Sequence, residues 1–292
     1  MRVALLVGPA AGTGRAPLAA QELRLALVAG GAQVQVLQGQ DRPEAMQLAR
    51  EAVADGVDVL VAVGGDGTVH LALQALALST ALLGVLPAGT GNDLARALGV
   101  APDPQGCARA VLDGAWTAVD AVRTGSQWWA GVLGTGFDAA VTERANRMRW
   151  PRGRRRYDLA TLAELRTLRP QPLVLELDGR RLEVEALLVA VGGAPSYGGG
   201  MRVCPGARLD DGLLEVVVVG PLSRWQFVRL FPSVFRGTHI RHPSVTVHTA
   251  RKIGIDGPPL PVYADGEPMG ELPTTCTVVP GAVRVVGAHL GT

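Results

Sequence analysis

The sequence predicts an α/β N-terminal domain with a parallel sheet, followed by a mainly antiparallel β-sandwich C-terminal domain. Over about the first 120 residues, apolar runs alternate with helical segments, which is typical of a parallel sheet with helices on both faces. After about Trp116, short apolar runs of period two are separated by glycine and proline, as in antiparallel sandwiches. We therefore expect a first domain at residues 1–120 and a second at 121–292.

The first domain is expected to repeat a strand–turn–helix unit. In chain order, the predicted elements are a strand at Val3–Val7, a loop with Pro9, Gly12 and Gly14, a helix near Pro17–Val28, a strand at Gln33–Leu37, a helix at Pro43–Ala54, a strand at Val57–Val63 with a helix opening at Thr68, a strand at Ala81–Leu86 with a further helix behind it, and a closing helix at Pro104–Asp113. The strand at Val57–Val63 is apolar enough to be covered on both faces, as parallel strands are.

The second domain is expected to consist mostly of short strands. The predicted strands are Trp128–Val132, Leu173–Leu177, Leu187–Val191, Leu214–Val219, Val245–His248, Pro261–Ala264, Thr275–Val279 and Ala282–Val286. Two helices are expected to interrupt them, near Tyr157–Thr167 and near Ser223–Phe235. The stretch Val69–Leu86 is the nearest approach to a membrane span, but its polar residues divide it into a helix and a strand.

Two glycine-rich turns follow the third and fourth predicted strands. Glycine permits positive φ and a close backbone approach to a ligand, and free N–H groups at the helix starts attract anions. Turns on neighbouring parallel strands face one crevice at the carboxyl edge of the sheet, so the layout predicts phosphate binding. The residues expected to contact the phosphates or their counter-ion are Gly64, Gly65, Asp66, Gly67, Thr68, Gly89, Thr90 and Asn92.

The first glycine-rich turn contains a carboxylate, Asp66, which is unexpected at a phosphate-binding site. Asp66 would repel a phosphate unless a divalent cation bridged the two groups. The chain has no Gly-x-x-x-x-Gly-Lys-Ser/Thr motif, and Lys252 is its only lysine. Phosphate charge must therefore be met by backbone N–H groups, arginine and metal. Two ordinary strand-to-helix turns, with Asn92 or Asp93 as a helix cap, are the structural alternative.

Composition excludes several classes of protein. The hydrophobic content of 48% and charged content of 18% indicate a globular chain, and a net charge of +2 gives no argument for nucleic acid. Cys107, Cys204 and Cys276 are far apart and have no metal-ligand spacing, which fits a reduced cytoplasmic compartment. The N-terminus enters a strand directly, without a signal-peptide pattern.

The motifs resemble those of the diacylglycerol kinase catalytic-domain family, which includes bacterial soluble lipid kinases and the sphingosine and ceramide kinases. The first motif also has relatives in NAD kinases and phosphofructokinases, but Asn92-Asp-Leu-Ala-Arg96 after the Gly-Thr turn is the lipid-kinase version. The further segments that stand in the family's order are Gly134-Thr-Gly-Phe-Asp138, Tyr197-Gly-Gly-Gly200, Cys204-Pro-Gly-Ala207, Leu209-Asp-Asp-Gly-Leu-Leu214 and Asp265-Gly-Glu-Pro268. The resemblance covers essentially the whole chain.

This resemblance implies an N-terminal domain of the phosphofructokinase/NAD-kinase-like type and a β-rich lipid domain. It implies an ATP-dependent, Mg²⁺-dependent kinase that transfers the γ-phosphate to a hydroxyl of diacylglycerol or a related lipid. It makes Glu267 the general base and Asp265 a second catalytic residue, with both carboxylates in the crevice between the domains. A plain Asp-Gly hairpin at Asp265–Gly266 is the alternative for this segment.

The resemblance also implies a second divalent-metal site in the acidic turn Leu209–Leu214. Carried onto this sequence, its ligands are the Asp211 carboxylate and the backbone carbonyls of Arg208 and Leu213. Oxygen ligands of this kind suit Mg²⁺. The alternative is another Asp-Gly hairpin that binds no metal.

Three glycines stand where the family usually has asparagine: Gly8, Gly131 and Gly192. A family threonine near the end of the second strand is replaced by Gln38 or Gly39. Lost amides remove hydrogen bonds that would position loops and phosphates. A catalytically silent lipid-binding or regulatory protein is therefore the first alternative function. The second, an NAD kinase, is disfavoured by the Asn92–Arg96 segment and the long β-rich half.

Arginines crowd one stretch of the second domain together with Trp150 and Tyr157. They are Arg144, Arg147, Arg149, Arg152, Arg154, Arg155 and Arg156. A solvated face is one interpretation; the other is peripheral contact with anionic lipid headgroups, which attract juxtamembrane arginine. We expect a cytoplasmic protein that is peripheral to the membrane, acts on lipid at the membrane surface and can form a homodimer.

Overall fold

The N-terminal half alternates strands and helices in the predicted order. The computed structural model describes residues 1–8, 15–148, 150 and 154–291, so the predicted loop at Pro9, Gly12 and Gly14 lies outside the described residues. The elements are β1 (Arg2–Val7), α1 (Arg15–Ala29), β2 (Gln33–Leu37), α2 (Arg42–Ala54), β3 (Val59–Gly64), α3 (Asp66–Leu76), β4 (Leu82–Pro87), α4 (Asp93–Ala97) and α5 (Pro104–Asp113).

Strands dominate the remainder of the chain. The elements are β5 (Trp116–Thr124), β6 (Gln127–Trp129), β7 (Val132–Gly136), α6 (Phe137–Arg147), α7 (Arg154–Glu164), β8 (Gln171–Leu177), β9 (Arg180–Ala186), β10 (Leu188–Gly192), β11 (Leu214–Val219), α8 (Arg224–Val234), β12 (Val245–Ala250), β13 (Lys252–Asp256), β14 (Pro261–Ala264), β15 (Glu267–Glu271) and β16 (Thr274–Val286). A short 3₁₀ helix at Thr238–Arg241 follows α8.

The strands form two sheets. The larger has the order β2-β1-β3-β4-β16-β13-β8-β9, with β5 paired to β16 and β6 to β5. Its β1, β2, β3 and β4 are parallel to one another, whereas the pairs formed among β5, β6, β8, β9, β13 and β16 are antiparallel. The smaller sheet, β12-β11-β10-β7-β14-β15, is antiparallel throughout. A common core of buried side chains from both sheets joins them as a sandwich, which confirms the predicted fold class.

The last strand connects the two halves. β16 pairs parallel with β4 through Val285 and Leu83, and antiparallel with β5 and β13. One sheet therefore runs from the parallel half into the sandwich, which holds the carboxyl ends of β3 and β4 in fixed relation to the strands that follow. The domain boundary near residue 120 stays a prediction.

Several predicted boundaries are wrong. The segment Trp128–Val132 is two strands, β6 and β7, because the chain turns at Ala130 and Gly131. The strands predicted at Thr275–Val279 and Ala282–Val286 are a single β16 with an irregular register between Val279 and Val283. Helix α3 begins at Asp66, two residues before Thr68, which places the Asp66 carboxylate in the first helical turn.

The prediction also missed four strands and one helix: β5, β9, β13, β15 and α6. The sequences of β5 and β13 contain aspartate, and β9 is rich in charged residues, so none shows a clean apolar period. Strand β15 begins directly after the Asp265–Gly266 turn and includes a proline and a glycine. Among the described residues, no helix is both long and apolar enough to cross a membrane.

Candidate active site

The two glycine-rich turns touch each other. Strands β3 and β4 are parallel neighbours whose register ends at Gly64 and Pro87, and the Ala88 N–H donates to the Gly64 carbonyl at 2.8 Å. A Cβ atom on Gly89 would lie 2.4 Å from the Gly65 Cα, so only glycine fits there. The crevice predicted at the carboxyl edge of the sheet is therefore formed by direct contact of the turns.

Thr68 is buried beneath the first turn. Its N–H donates to the Gly65 carbonyl at 2.9 Å, so this group already has a partner within the turn. A Cβ on either Gly8 or Gly64 would lie 2.2 Å from the Thr68 Oγ1. The hydroxyl thus sits between the ends of β1 and β3, whereas Thr90, at the tip of the second turn, is exposed.

Asp66 joins the first turn to the second. Its Oδ1 accepts the Leu94 N–H at 3.1 Å, and its Oδ2 lies 2.6 Å from the position a Cβ would take on Gly91. Burial raises the pKa of the Asp66 carboxyl, and the negative charges of Asp93 and Asp265 raise it further. The Asp66 carboxylate is thus held near like charges, and carboxylate oxygen suits a hard divalent cation such as Mg²⁺.

Asn92 closes the second turn and does not cap a helix with its side chain. Its φ of 55° is left-handed, its Oδ1 accepts the Gly89 N–H at 3.1 Å, and its Nδ2 donates to the Gly89 carbonyl at 2.9 Å. The side-chain cap offered as an alternative for Asn92 is wrong. Both backbone groups of Gly89 are bound by one amide, which fixes the turn that carries Thr90.

Asp93 links the N-terminal half to the loop Tyr197–Gly200 of the second half. Its carboxylate is buried and accepts the N–H groups of Gly199 at 2.6 Å and Gly200 at 2.8 Å. Arg96 Nη2 lies 2.7 Å from the same carboxylate. Two family segments that are about 100 residues apart thus meet at the Asp93 side chain. Hydrogen bonds from backbone N–H groups to a charged carboxylate are strong, so they hold the two segments together.

Asp265 and Gly266 form the two-residue turn between β14 and β15. Their φ angles are 53° and 82°, the positive pair that this kind of hairpin turn requires. The Asp265 carboxylate accepts from the N–H groups of Ala130, Gly131 and Val132 at 3.3, 3.4 and 3.1 Å. Its oxygens are thus occupied by backbone, and they anchor the hairpin to the turn before β7.

Glu267 is the residue that the hairpin presents to the first glycine turn. Its Oε1 lies 3.4 Å from the position a Cβ would take on Gly67. Arg42 Nη1, at the start of α2, contacts the same oxygen at 2.6 Å. The Arg42–Glu267 pair therefore bridges the two halves over the N-terminus of α3. Sequence reasoning missed Arg42; its position just after β2, at the same edge of the sheet as the turns, is the signal that could have found it.

Behind the crevice, α3 is tied to the second half by polar side chains. The buried His70 has its Nδ1 4.0 Å from Asp265 Oδ2. The Gln74 side chain donates to the Trp128 carbonyl and accepts the Trp128 N–H at 3.0 Å. These contacts fix α3, and with it Asp66, relative to the turn that holds Asp265.

The three glycines that replace family asparagines lie where the fold has no room for a larger side chain. A Cβ on Gly131 would lie 2.1 Å from the Asp265 Oδ1, and one on Gly192 would lie 2.4 Å from the Cys204 Cβ. Gly8 is closed by Thr68 in the same way. The glycines are therefore matched to their neighbours, which weakens the case that their loss of amides silences the protein.

We expect Gly131→Asn to lower the free energy of unfolding by about 1–3 kcal/mol, since the Asp265 carboxylate is held by three N–H groups and cannot move aside freely. Gly125→Asn is the control for the added side chain, because no atom lies within 4 Å of a Cβ built on Gly125, and asparagine tolerates its φ of 58°. Denaturant titration of both variants measures the difference. Equal stability of the two variants would contradict the packing at Gly131.

The segments Gly134–Asp138 and Tyr197–Gly200 meet beside the crevice. Burial raises the pKa of Asp138 to about 6, although a hydrogen bond with Tyr197 acts in the opposite direction. Burial is also the main cause that raises the pKa of Tyr197 well above its ordinary value, with the Asp138 charge next. No cation among the described residues contributes to this shift, so the partly buried Asp138 carboxylate destabilises the fold when it is ionised.

This carboxylate predicts a pH dependence of stability. Because the pKa of Asp138 is raised in the folded state, its protonated carboxyl contributes fully to stability below pH 4. This contribution is lost as the pH rises through about 6. Wild type should therefore lose about 2–3 kcal/mol of unfolding free energy relative to Asp138→Asn between pH 4 and pH 8. Denaturant titrations at both pH values measure this, with the exposed Asp113→Asn as control. A constant difference between wild type and Asp138→Asn would contradict it.

The acidic turn Leu209–Leu214 is braced by a residue that sequence reasoning missed. The buried Asp120 accepts the Gly212 N–H at 2.7 Å and the Gly281 N–H at 2.8 Å. The exposed Asp211 accepts the Leu213 N–H at 2.9 Å, and Arg208 pairs with Asp210 at 3.1 Å. Within the described ranges, no three His, Cys, Asp or Glu side chains are grouped to hold a metal, so one here would depend on carbonyls and water.

The fold is NAD-kinase-like. A crystal structure of an NAD kinase from Archaeoglobus fulgidus in complex with ATP matches with a TM-score of 0.57, over 99% of this chain and 94% of that one, at 16% identity. A crystal structure of a diacylglycerol kinase from Bacillus anthracis strain Sterne matches with a TM-score of 0.78, over 98% and 96% of the two chains, at 26% identity.

Family models match both halves. The model of the diacylglycerol kinase catalytic domain matches residues 2–124, and that of the YegS C-terminal NAD kinase beta sandwich-like domain matches residues 131–287. Diacylglycerol kinase from Mycobacterium tuberculosis strain H37Rv is 41% identical, over 99% of this chain and 96% of its own length. That from Bacillus subtilis strain 168 is 29% identical, over 79% and 78%. The chain belongs to the diacylglycerol kinase family.

Proposed function

We propose that this kinase transfers the γ-phosphate of ATP to a hydroxyl of diacylglycerol or a related lipid, with Glu267 as general base. The observation that carries the proposal is the place of the Glu267 carboxylate directly over Gly67, at the N-terminus of α3. A base at that point faces the phosphates that the two turns would hold. General bases must lie within reach of the proton that they remove.

The nucleotide phosphates would lie along the two touching turns, on the backbone of Gly64, Gly65, Gly67 and Gly89. Thr90 is exposed and offers a hydroxyl, whereas the N–H of Thr68 is already bound. Positive charge is provided by Arg42, which contacts the Glu267 carboxylate, and by Arg96, which contacts the Asp93 carboxylate. Together these groups provide the neutral donors and positive charge that phosphoryl transfer requires.

Asp66 is the residue we propose for Mg²⁺, because its carboxylate is partly buried among like charges that a cation would offset. Mg²⁺ held there would supply positive charge that offsets the negative charge developing on the phosphate during transfer. Asp93 and Asp265 add negative potential, but their oxygens hold backbone N–H groups. We therefore propose positioning roles for them, in place of the direct catalytic role first expected for Asp265.

The transfer itself needs one proton acceptor. The lipid hydroxyl gives its proton to Glu267, its oxygen forms a bond to the γ-phosphorus, and the bond from that phosphorus to the bridging oxygen of ADP breaks. Arg42 would hold the Glu267 carboxylate in place through the 2.6 Å contact. A positioned acid–base group of this kind contributes about 10²–10⁴-fold to a rate.

A second Mg²⁺ at the acidic turn is also proposed, held by Asp211 and the carbonyls of Arg208 and Leu213. The exposed carboxylate and backbone oxygens fit the ligand preference of this ion. Because Asp120 already braces the turn from inside, such a metal would add rigidity on its outer side.

An unbiased acceptor assay tests the proposal. Wild-type protein is incubated with γ-labelled ATP, Mg²⁺ and a total lipid extract to which NAD is added, and the products are separated by chromatography. A labelled lipid is expected, and its mobility identifies the acceptor. A labelled dinucleotide would instead favour an NAD kinase, and bound but untransferred ATP would favour a silent lipid-binding protein.

A further inference from the structure

Helix α8 has one buried face and one exposed apolar face. Phe227 is buried and, with Leu230, Phe231 and Val234, packs on side chains of the smaller sheet. The opposite face carries Trp225, Val228, Pro232 and Phe235, which are spaced by 3, 4 and 3 residues and so form one stripe. Trp225 is 79% exposed, Val228 43% and Phe235 39%. A tryptophan this exposed at one end of an apolar stripe indicates a surface that meets an apolar partner.

The segment of the chain that carries this stripe has only positive charges. Between Val216 and Ile255 the chain has six arginine or lysine residues and no aspartate or glutamate. Because the net charge of the whole chain is +2, the remainder carries −4, so the positive surplus resides in this segment. Arg224, Arg229 and Arg236 are exposed beside the stripe. An apolar face flanked by arginine is the pattern of a helix that lies in an anionic membrane surface.

Helix α8 is joined to the crevice by short contacts. The Val234 carbonyl accepts the Arg202 N–H at 3.1 Å, and Arg202 closely follows the loop whose Gly199 and Gly200 N–H groups bind Asp93. The ring of Phe227 lies 4.8 Å from that of Phe137, which begins α6. A membrane that received α8 would therefore lie beside the loop that contacts the phosphate-binding turns.

The arginine run at residues 144–156 is a weaker candidate for a membrane-binding surface. Arg144 pairs with Glu164, and Arg147 pairs with Glu143 at 2.7 Å, so two of its charges are compensated. Arg149 and Arg152 lie outside the described residues. Trp150 is 80% exposed and belongs to this run, which makes it a useful comparison residue.

We infer that the exposed face of α8 is the surface by which the protein binds an anionic lipid bilayer. Trp225, Val228 and Phe235 enter the boundary between headgroups and acyl chains, where tryptophan is favoured. Arg229 and Arg236 contact the anionic headgroups. The choice of a bilayer as the partner rests on the proposed lipid-kinase function, because the lipid substrate would be dissolved in that bilayer.

Vesicle sedimentation tests the inference with the full-length protein. The vesicles are phosphatidylcholine alone, or phosphatidylcholine with 30 mol% phosphatidylglycerol as the anionic probe, both at low salt. Wild type should bind the anionic vesicles more strongly. Trp225→Ser combined with Val228→Ser should lower the partition coefficient at least tenfold. Arg229→Gln combined with Arg236→Gln should lower it about 25-fold on anionic vesicles only, at about fivefold per arginine.

The controls locate the surface. Leu18→Ser combined with Leu25→Ser removes exposed apolar residues from α1 and should leave vesicle binding unchanged, as should Trp150→Ser. Thermal unfolding confirms that each variant is folded. The inference would be overturned if both α8 variants bound vesicles as strongly as wild type. If these variants also lost self-association in sedimentation velocity, the exposed face of α8 would be assigned to contact with a second copy of the chain.

The lipid-kinase proposal is tested separately in the same preparations. Wild-type transfer to a short-chain diacylglycerol dissolved as monomer requires no bilayer. Absence of that transfer together with α8-dependent vesicle binding would reject the kinase proposal and retain the docking surface. Transfer to the dissolved substrate with α8-independent vesicle binding would do the reverse.

Discussion

Replacing Glu267 with glutamine should lower kcat by about 10²–10⁴-fold and leave the ATP dissociation constant nearly unchanged. Glutamine keeps the shape of the side chain and can still accept a hydrogen bond from Arg42, which contacts Glu267 at 2.6 Å. It cannot accept the proton of the lipid hydroxyl. The loss should therefore fall on turnover and not on nucleotide binding.

Initial rates under saturating ATP and equilibrium nucleotide binding measure the two quantities. Glu271→Gln is the matched control, because it lies on the same strand β15 and is exposed. Turnover by Glu267→Gln at the wild-type rate would reject the base assignment. An equal loss in Glu271→Gln would attribute the effect to the strand and not to the carboxylate.

Replacing Asp66 with asparagine should have opposite effects on activity and on stability. Loss of the proposed Mg²⁺ ligand should lower kcat/KM by about 10²–10³-fold, the scale of removing one electrostatic contact to the transition state. Burial, and after it the charges of Asp93 and Asp265, raise the pKa of Asp66, so ionising this carboxylate costs more in the folded protein than in the unfolded chain. A neutral amide removes that penalty and can still accept the Leu94 N–H.

The readout besides activity is the effect of Mg²⁺ on thermal unfolding in the presence of ATP. Wild type should show an increase in Tm when Mg²⁺ is added, and Asp66→Asn should not, while its Tm without metal is at least that of wild type. Asp58→Asn, at the opposite end of β3 and exposed, is the control. An undiminished Mg²⁺ effect in Asp66→Asn would move the metal to another ligand.

The parts of the site that sequence reasoning could predict are those built from adjacent residues. The apolar runs of β3 and β4 and the glycines behind them fix two turns, and parallel neighbouring strands bring such turns to one edge. In the folded chain they are in direct contact, with Gly65 against Gly89. The hairpin at Asp265–Gly266 was offered as an alternative to a site residue, yet the same turn also presents Glu267 to Gly67.

The parts that were missed depend on contacts between distant segments. Asp93 was considered as a helix cap, but its partners Gly199 and Gly200 lie more than 100 residues away. Arg42 reaches Glu267 across 225 positions of sequence. No local pattern records such pairs, because they arise only when the sandwich packs against the parallel sheet.

The glycines at family asparagine positions have surroundings that sequence reasoning could not see. A missing amide suggests a missing hydrogen bond, and so a loss of function. In the folded chain the space beside Gly131 is filled by the Asp265 carboxylate, which itself binds the surrounding backbone N–H groups. The backbone N–H groups around Gly131 thus have the Asp265 carboxylate as their acceptor.

The most direct test of the central claim is transfer of label from γ-labelled ATP to dioleoylglycerol in mixed micelles, with and without Mg²⁺. We expect a labelled phospholipid, formed in equal amount to ADP and only when Mg²⁺ is present. Formation of ADP without a labelled lipid, or ATP binding with no transfer to any lipid acceptor, would contradict a lipid kinase centred on Glu267.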